Sequence, residues 1–203
     1  MTKVPYAMAL GCSMYIMVIT RPDIAHALSI LSRFISNPGL EHWNALQWLL
    51  RYLKGTTEKG LRYKQVEQKV TLEGFVDVDS AAIKDTRRST TSYVFTTNGD
   101  CICLKSQLQS VLSLSTTEAD FMATTEAFKE AIWLQEMLEE LKKMKGKAKK
   151  YSDSQSSIHL CKNLVYHEKS KHIEIRLFWI REKTEEVEIS LDKIGSEDNP
   201  ADI

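Results

Sequence analysis

Gly74-Phe75-Val76-Asp77-Val78-Asp79 is the stretch on which the fold turns. With Val70 and Leu72 ahead of it, the segment reads as a β-strand whose apolar run ends at Asp77, with Asp79 two residues on. Strand ends are exposed to a cleft, so an acid there is either an ordinary turn residue or a ligand. Downstream, Ser92–Thr97 and Cys101–Leu104 flank Asn98-Gly99, a hairpin-turn signature, and Gln109–Leu114 is expected to complete the meander. A helical pattern then runs from Thr116 to about Lys143 through Ala119, Met122, Ala123, Ile132, Leu134, Leu138 and Leu141. A short strand is expected near Lys149–Ser152, then a helix containing Ile158 and Leu160. A further helix is expected across Ile173–Thr184, and alternation at Val187, Ile189 and Leu191 gives a last strand. Strands, helix, strand, helix, helix, strand is the order of an α/β domain with a mixed sheet and flanking helices.

Upstream the character differs. Thr20-Arg21-Pro22-Asp23 resembles a helix start, with Thr20 as cap, and Ile24, Leu28, Leu31 and Ile35 recur at helical spacing until Asn37-Pro38-Gly39. Trp43, Leu46, Leu49, Leu50 and Leu53 mark a second helix with Gly55 beyond it. A helical hairpin over residues 1–60 thus precedes a sheet domain over residues 70–203. Tyr6–Ile19 is apolar but shorter than the roughly 20 residues a membrane helix needs, so no membrane is expected as a partner.

Lys plus Arg number 27 and Asp plus Glu 27, so formal net charge is zero, which on average argues against a strong nonspecific nucleic-acid binder. Lys142, Lys143, Lys145, Lys147, Lys149 and Lys150 are nonetheless crowded together and read as a solvated linker, or alternatively a phosphate-contacting patch. Cys12, Cys101, Cys103 and Cys161 lack a disulfide framework, and an intracellular setting, cytoplasmic or nuclear, is the expectation. Cys101-x-Cys103 with His159-x-Cys161 has the wrong spacing for a zinc knuckle.

The remaining acids take positions comparable to that of Asp77. Glu118 falls in the first turn of the long helix, Asp153 just past the next strand and Asp202 near the end of the sequence. Carboxylates at strand ends and helix starts can converge at one sheet edge, where Mg²⁺ accepts oxygen ligands and keeps waters for a phosphate to replace. Each also has a structural reading. Ser115-Thr-Thr-Glu118 makes a capping box, Asp153 could cap its own helix, and Asp77-x-Asp79 could be a strand-end turn.

Asp77-Val-Asp79, Arg87-Arg-Ser-Thr-Thr91, Tyr93-Val-Phe95, Lys105-Ser-Gln-Leu-Gln109, Leu114-Ser-Thr-Thr-Glu-Ala119, Asp153-Ser-Gln155, Lys171-His-Ile173 and Asn199-Pro-Ala-Asp202 together resemble the ribonuclease H domain of copia-type LTR retrotransposon Pol polyproteins. Thr20-Arg-Pro-Asp-Ile24, Ser36-Asn-Pro-Gly39, His42-Trp43 and Leu50-Arg-Tyr-Leu-Lys-Gly55 resemble the end of the preceding reverse transcriptase. The resemblance implies a ribonuclease H-like fold and a metal-dependent endonuclease. Two Mg²⁺ or Mn²⁺ ions would be held by Asp77, Glu118, Asp153 and Asp202, with Asp79 a neighbour, and the RNA strand of an RNA–DNA hybrid would be cut. Arg87, Arg88, Lys169, Lys171 and His172 would be phosphate neighbours, and other retrotransposon polyprotein products possible partners. No polymerase active site is expected. Ser80-Ala81-Ala82 departs from the family pattern, and the sequence ends at Ile203, so the domain reads as truncated with Asp202 on a fraying end. The alternative is a catalytically weakened remnant that keeps the fold and nucleic-acid binding. A third reading makes the helical hairpin a binding module and the sheet domain its scaffold.

Overall fold

The computed structural model describes residues 4–64, 69–79, 88–144, 146–155, 158–159, 182 and 190–202. The chain divides into two compact units, Met1–Tyr63 with Lys105–Gln107, and Lys64–Leu104 with Leu108–Ile203.

The first unit is helical: α1 (Tyr6–Ile19), α2 (Ala25–Ser32) and α3 (Leu40–Gly55), with a 3₁₀ turn at Pro22–Ile24. Tyr6, Leu10, Ile24, Leu28, Leu31, Leu46 and Leu49 form its core, and the buried Tyr6 hydroxyl donates to the Leu31 carbonyl at 2.8 Å. Thr20 does not cap the helix after it. Its hydroxyl bonds back to the Ile16 carbonyl and closes α1. Asp23 instead holds the Arg21 guanidinium at 2.9 and 2.7 Å, and that guanidinium also donates to the Thr56 carbonyl and hydroxyl, tying the 3₁₀ turn to the end of α3. A fork of five donors makes such multiple tethering possible for Arg, not Lys.

The second unit is built on a five-stranded mixed sheet, ordered β3-β2-β1-β4-β5. Its strands are β1 (Leu72–Asp79), β2 (Thr90–Thr97), β3 (Asp100–Leu108), β4 (Lys149–Ser152) and β5 (Ser190–Lys193). β1 runs antiparallel to β2 and parallel to β4, and β4 is parallel to β5. Asn98 and Gly99 both have positive φ (51° and 88°), the backbone that a two-residue hairpin with native strand twist requires. Helix α4 (Thr116–Glu140) packs Phe121, Ala123, Ala127, Phe128, Ala131, Leu134 and Leu138 with Leu72, Val76, Tyr93 and Phe95 of the sheet. Gly74 faces Phe95 across the ladder, and a Cβ there would lie 2.4 Å from a Phe95 ring carbon. Glycine is therefore what lets that ring lie flat on β1.

Two expectations fail in this unit. Gln109–Leu114 is not a strand, because the Gln109 amide turns inward and donates to the Thr91 hydroxyl and the Ala119 carbonyl, fixing the approach to α4. The lysine run is not simply a solvated linker either. Lys150 is fully buried in β4, its ammonium 3.2 Å from the centroid of the Phe128 ring, an attraction between cation and ring quadrupole. The expected helix at Ile173–Thr184 lies outside the described residues. So do Leu160, Val187 and Ile189, while Leu191 is buried in β5. Among the described residues no helix is long and apolar enough to cross a membrane.

Candidate active site

Asp77 lies near the end of β1, paired with Ser92 of β2 on one side. On the other side Val76 faces Ser152, the last residue of β4, so Asp77 and Asp153 are successive steps along parallel neighbours. The side chain of Asp77 is half-buried. Its carboxyl is pushed up to about 6, first by burial and then by the negative charges of Asp153, Asp202 and Asp120, while a hydrogen bond from the Val78 amide acts against them. The charges that act most strongly on Asp77 are thus carboxylates from three other segments.

Asp153 accepts a hydrogen bond from the Ser196 hydroxyl at 3.0 Å. Asp202 follows the 3₁₀ turn at Ser196–Asp198, and its amide donates to the Asn199 carbonyl at 3.1 Å. The Asn199 side chain donates to the Val76 carbonyl at 3.0 Å and accepts the Ala201 amide at 3.2 Å. The end of the described chain is therefore pinned to β1 beside Asp77, where a frayed terminus was expected.

The helix residue in this cluster is Asp120. Its carboxyl is raised by burial, lowered by a hydrogen bond from the Ser154 side chain, and raised again by Asp153. Glu118 is occupied elsewhere. Ser115 caps α4 by accepting the Glu118 amide at 3.1 Å, and the Glu118 carboxylate accepts the Leu114 amide at 2.7 Å. Asp153, Asp202 and Asp120 all act electrostatically on Asp77, while Glu118 is the acid that closes the helix start. Asp120, two residues past Glu118, lies about 200° further round the helix and so on nearly the opposite face of α4. Asp79 is exposed at the end of β1, and Arg88 is exposed just before β2. Arg87, Lys169, Lys171 and His172 lie outside the described residues.

This donor set suits a hard divalent cation, since all four side chains offer carboxylate oxygens. Among the described residues no three His, Cys, Asp or Glu side chains are close enough to hold one ion at once.

A mixed sheet in this strand order, a long helix against it and acids at the adjoining ends of β1 and β4 define a ribonuclease H-like α/β domain. By sequence, the whole chain is similar to one part of the retrovirus-related Pol polyproteins of transposons. It is 48% identical over all 203 residues to the Pol polyprotein of transposon TNT 1-94 of Nicotiana tabacum, and spans 15% of that polyprotein's length. It is also 45% identical over 134 residues to secreted RxLR effector protein 161 of Plasmopara viticola, covering 66% of this chain and 94% of that protein. No family model matches the chain. Among solved structures, the foamy viral protease-reverse transcriptase in complex with double-stranded DNA is similar over 85% of this chain and 34% of its own, with a TM-score of 0.58 at 16% identity. LC11-RNase H1, isolated from compost, is similar over 65% of this chain and 90% of its own, with a TM-score of 0.50 at 19% identity.

Proposed function

We propose that the second unit is a ribonuclease H-type endonuclease that hydrolyses the RNA strand of RNA–DNA hybrids during transposon reverse transcription, with Asp77, Asp120, Asp153 and Asp202 as its metal-binding acids. The observation that carries this reading is placement: Asp77 and Asp153 at the adjoining ends of parallel strands, Asp202 on a turn bonded to Val76 through Asn199, and Asp120 acting on both Asp77 and Asp153. Asp120 takes the place that Glu118 holds in the family resemblance. Two Mg²⁺ or Mn²⁺ ions at these acids would generate the attacking hydroxide and stabilise the leaving oxygen.

The chain's own residues prepare that chemistry. Ser154 and Ser196 orient the carboxylates of Asp120 and Asp153 by donating to them, so each arrives pre-aimed. Asp77 resists ionisation because burial and three like charges oppose it, which makes it the acid most relieved by a bound cation. A hybrid would be chosen by groove shape and by 2′-hydroxyl contacts rather than by base edges. Arg88, and beyond the described residues Arg87, Lys171 and His172, would steer its phosphates. The structure of the foamy viral relative with double-stranded DNA is consistent with a nucleic-acid ligand for this fold.

The test is cleavage of an end-labelled RNA–DNA hybrid with and without Mg²⁺. Cleavage by the wild-type chain, lost in Asp153→Asn and in Asp120→Asn, supports the reading. Equal cleavage by wild type and both variants would sink it. A second reading, a remnant that binds hybrid without turnover, is favoured by the absence of three carboxylates closed on one point among the described residues. It predicts hybrid binding by gel shift with no Mg²⁺-dependent product.

A further inference from the structure

The acids of the cluster differ in how they are held. Asp77 and Asp153 lie on or just past strands, and Asp120 on a helix of 25 residues. Asp202 has only a short turn behind it, is exposed, and carries the same charge as Asp77, on which it acts. The backbone of so short a turn would move away from β1 unless something tied it there.

What opposes that motion is Asn199, which is 5% exposed. β4 stops at Ser152, opposite Val76, so the ladder on that side of β1 ends there. The Asn199 amide donates to the Val76 carbonyl at this point, spanning 123 residues of sequence. The other end of the same side chain accepts the Ala201 amide, and its backbone carbonyl accepts the Asp202 amide. Ala201 is fully buried beneath the turn. One carboxamide thus bonds the strand that bears Asp77 with its nitrogen and shapes the turn that bears Asp202 with its oxygen. Asp could not donate to Val76 when ionised, and Ala could do neither. The Ser196 hydroxyl, at the other end of the turn, holds Asp153.

We propose that Asn199 is a positioning residue that latches Asp202 beside Asp77 through the carbonyl of Val76, and so sets whether the fourth acid takes part in cation binding. The second half of this statement rests on the metal-site reading above; the latch itself does not. Amide hydrogen exchange of the metal-free chain tests the latch. In Asn199→Ala, exchange at Ala201 and Asp202 is expected to rise at least ~10-fold while β1 and β4 keep their protection. Unchanged protection at both residues overturns the latch.

Calorimetric Mn²⁺ titration tests the consequence. Asn199→Ala is expected to lose one of two ions, as Asp202→Asn does, and two ions bound with wild-type affinity in Asn199→Ala overturn it. Should Asn199→Ala fail to fold, Asn199→Asp keeps the side-chain volume and the acceptor for Ala201 while lacking the donor to Val76, and the same two measurements apply. A wild-type chain that binds no Mn²⁺ overturns the metal reading, and with it the consequence, whereas the exchange result still decides the latch.

Discussion

Glu118 turns its carboxylate back onto the amide of Leu114, 2.7 Å away, and so spends on its own helix the charge that its motif assigns to a metal. Two residues on, Asp120 is left to face Asp153. The pair separates cleanly by mutation. Asp120→Asn should lower Mg²⁺-dependent hybrid cleavage at least ~100-fold, since even residues that merely support metal ligands are worth about 10–100-fold. Glu118→Ala should keep most of the activity and lose about 1 kcal/mol of stability, the usual worth of a helix cap. Hybrid cleavage and urea denaturation of both variants check this, and the opposite pattern would return Glu118 to the site.

Asp77 makes the metal-free protein sensitive to mild acid in a defined direction. Its folded value, about 6, lies above the roughly 3.9 of an unfolded Asp. The native state therefore holds the extra proton between those values, and stability falls as pH rises from about 4 to about 6. The side chain is half-exposed, so screening reduces the effect to about 1 kcal/mol. Asp77→Asn should flatten that slope and melt higher than wild type at pH 7 in EDTA. Differential scanning calorimetry at pH 4, 5, 6 and 7 reads both.

Mg²⁺ should reverse the same penalty. At pH 7, millimolar Mg²⁺ should raise the melting temperature of the wild type, and EDTA should remove the gain, because a ligand that binds only the folded state stabilises it by mass action. Asp77→Asn should show little of this response.

Gly74 and Phe95 should prove coupled. Gly74→Ala places a methyl 2.4 Å from the ring of the fully buried Phe95, and overpacking of this kind costs about 1–3 kcal/mol. Trimming the ring in Gly74→Ala/Phe95→Leu should cost less than the two single changes added together. Urea midpoints of the four proteins measure the coupling.

Lys150 is buried for its stem as much as for its charge. Lys150→Met keeps the length against Phe128 and removes a buried cation, so stability should stay within about 1 kcal/mol of wild type or rise. Lys150→Ala opens a cavity in the core and should cost about 2–4 kcal/mol. Thermal unfolding of both variants distinguishes packing from charge.

Much of the architecture is local chemistry and was legible residue by residue. Asn98-Gly99 specifies its hairpin because both residues tolerate positive φ. Ser115 and Glu118 announce the start of α4, and the short strand expected near Lys149–Ser152 is β4. Thr20 misled because a hydroxyl can either accept from the amides of the helix ahead or donate to the carbonyl of the helix behind, and here it donates to Ile16. Gln109 misled because the segment following a hairpin reads as a third strand until the Gln109 amide is buried against Thr91 and Ala119.

The cluster around Asp77 divides along the same line. Strand and helix periodicity placed acids at the ends of β1, β4 and α4, since those patterns depend only on neighbours in the chain. Which acid of α4 faces the others depended on the rotation of that helix against the sheet, set by Phe121, Phe128 and Leu134 packing on Val76 and Phe95. That Asp202 is held rather than frayed depended on a hydrogen bond from Asn199 to Val76, 123 residues away. Contacts of that span are decided by how whole elements pack, and no local pattern encodes them.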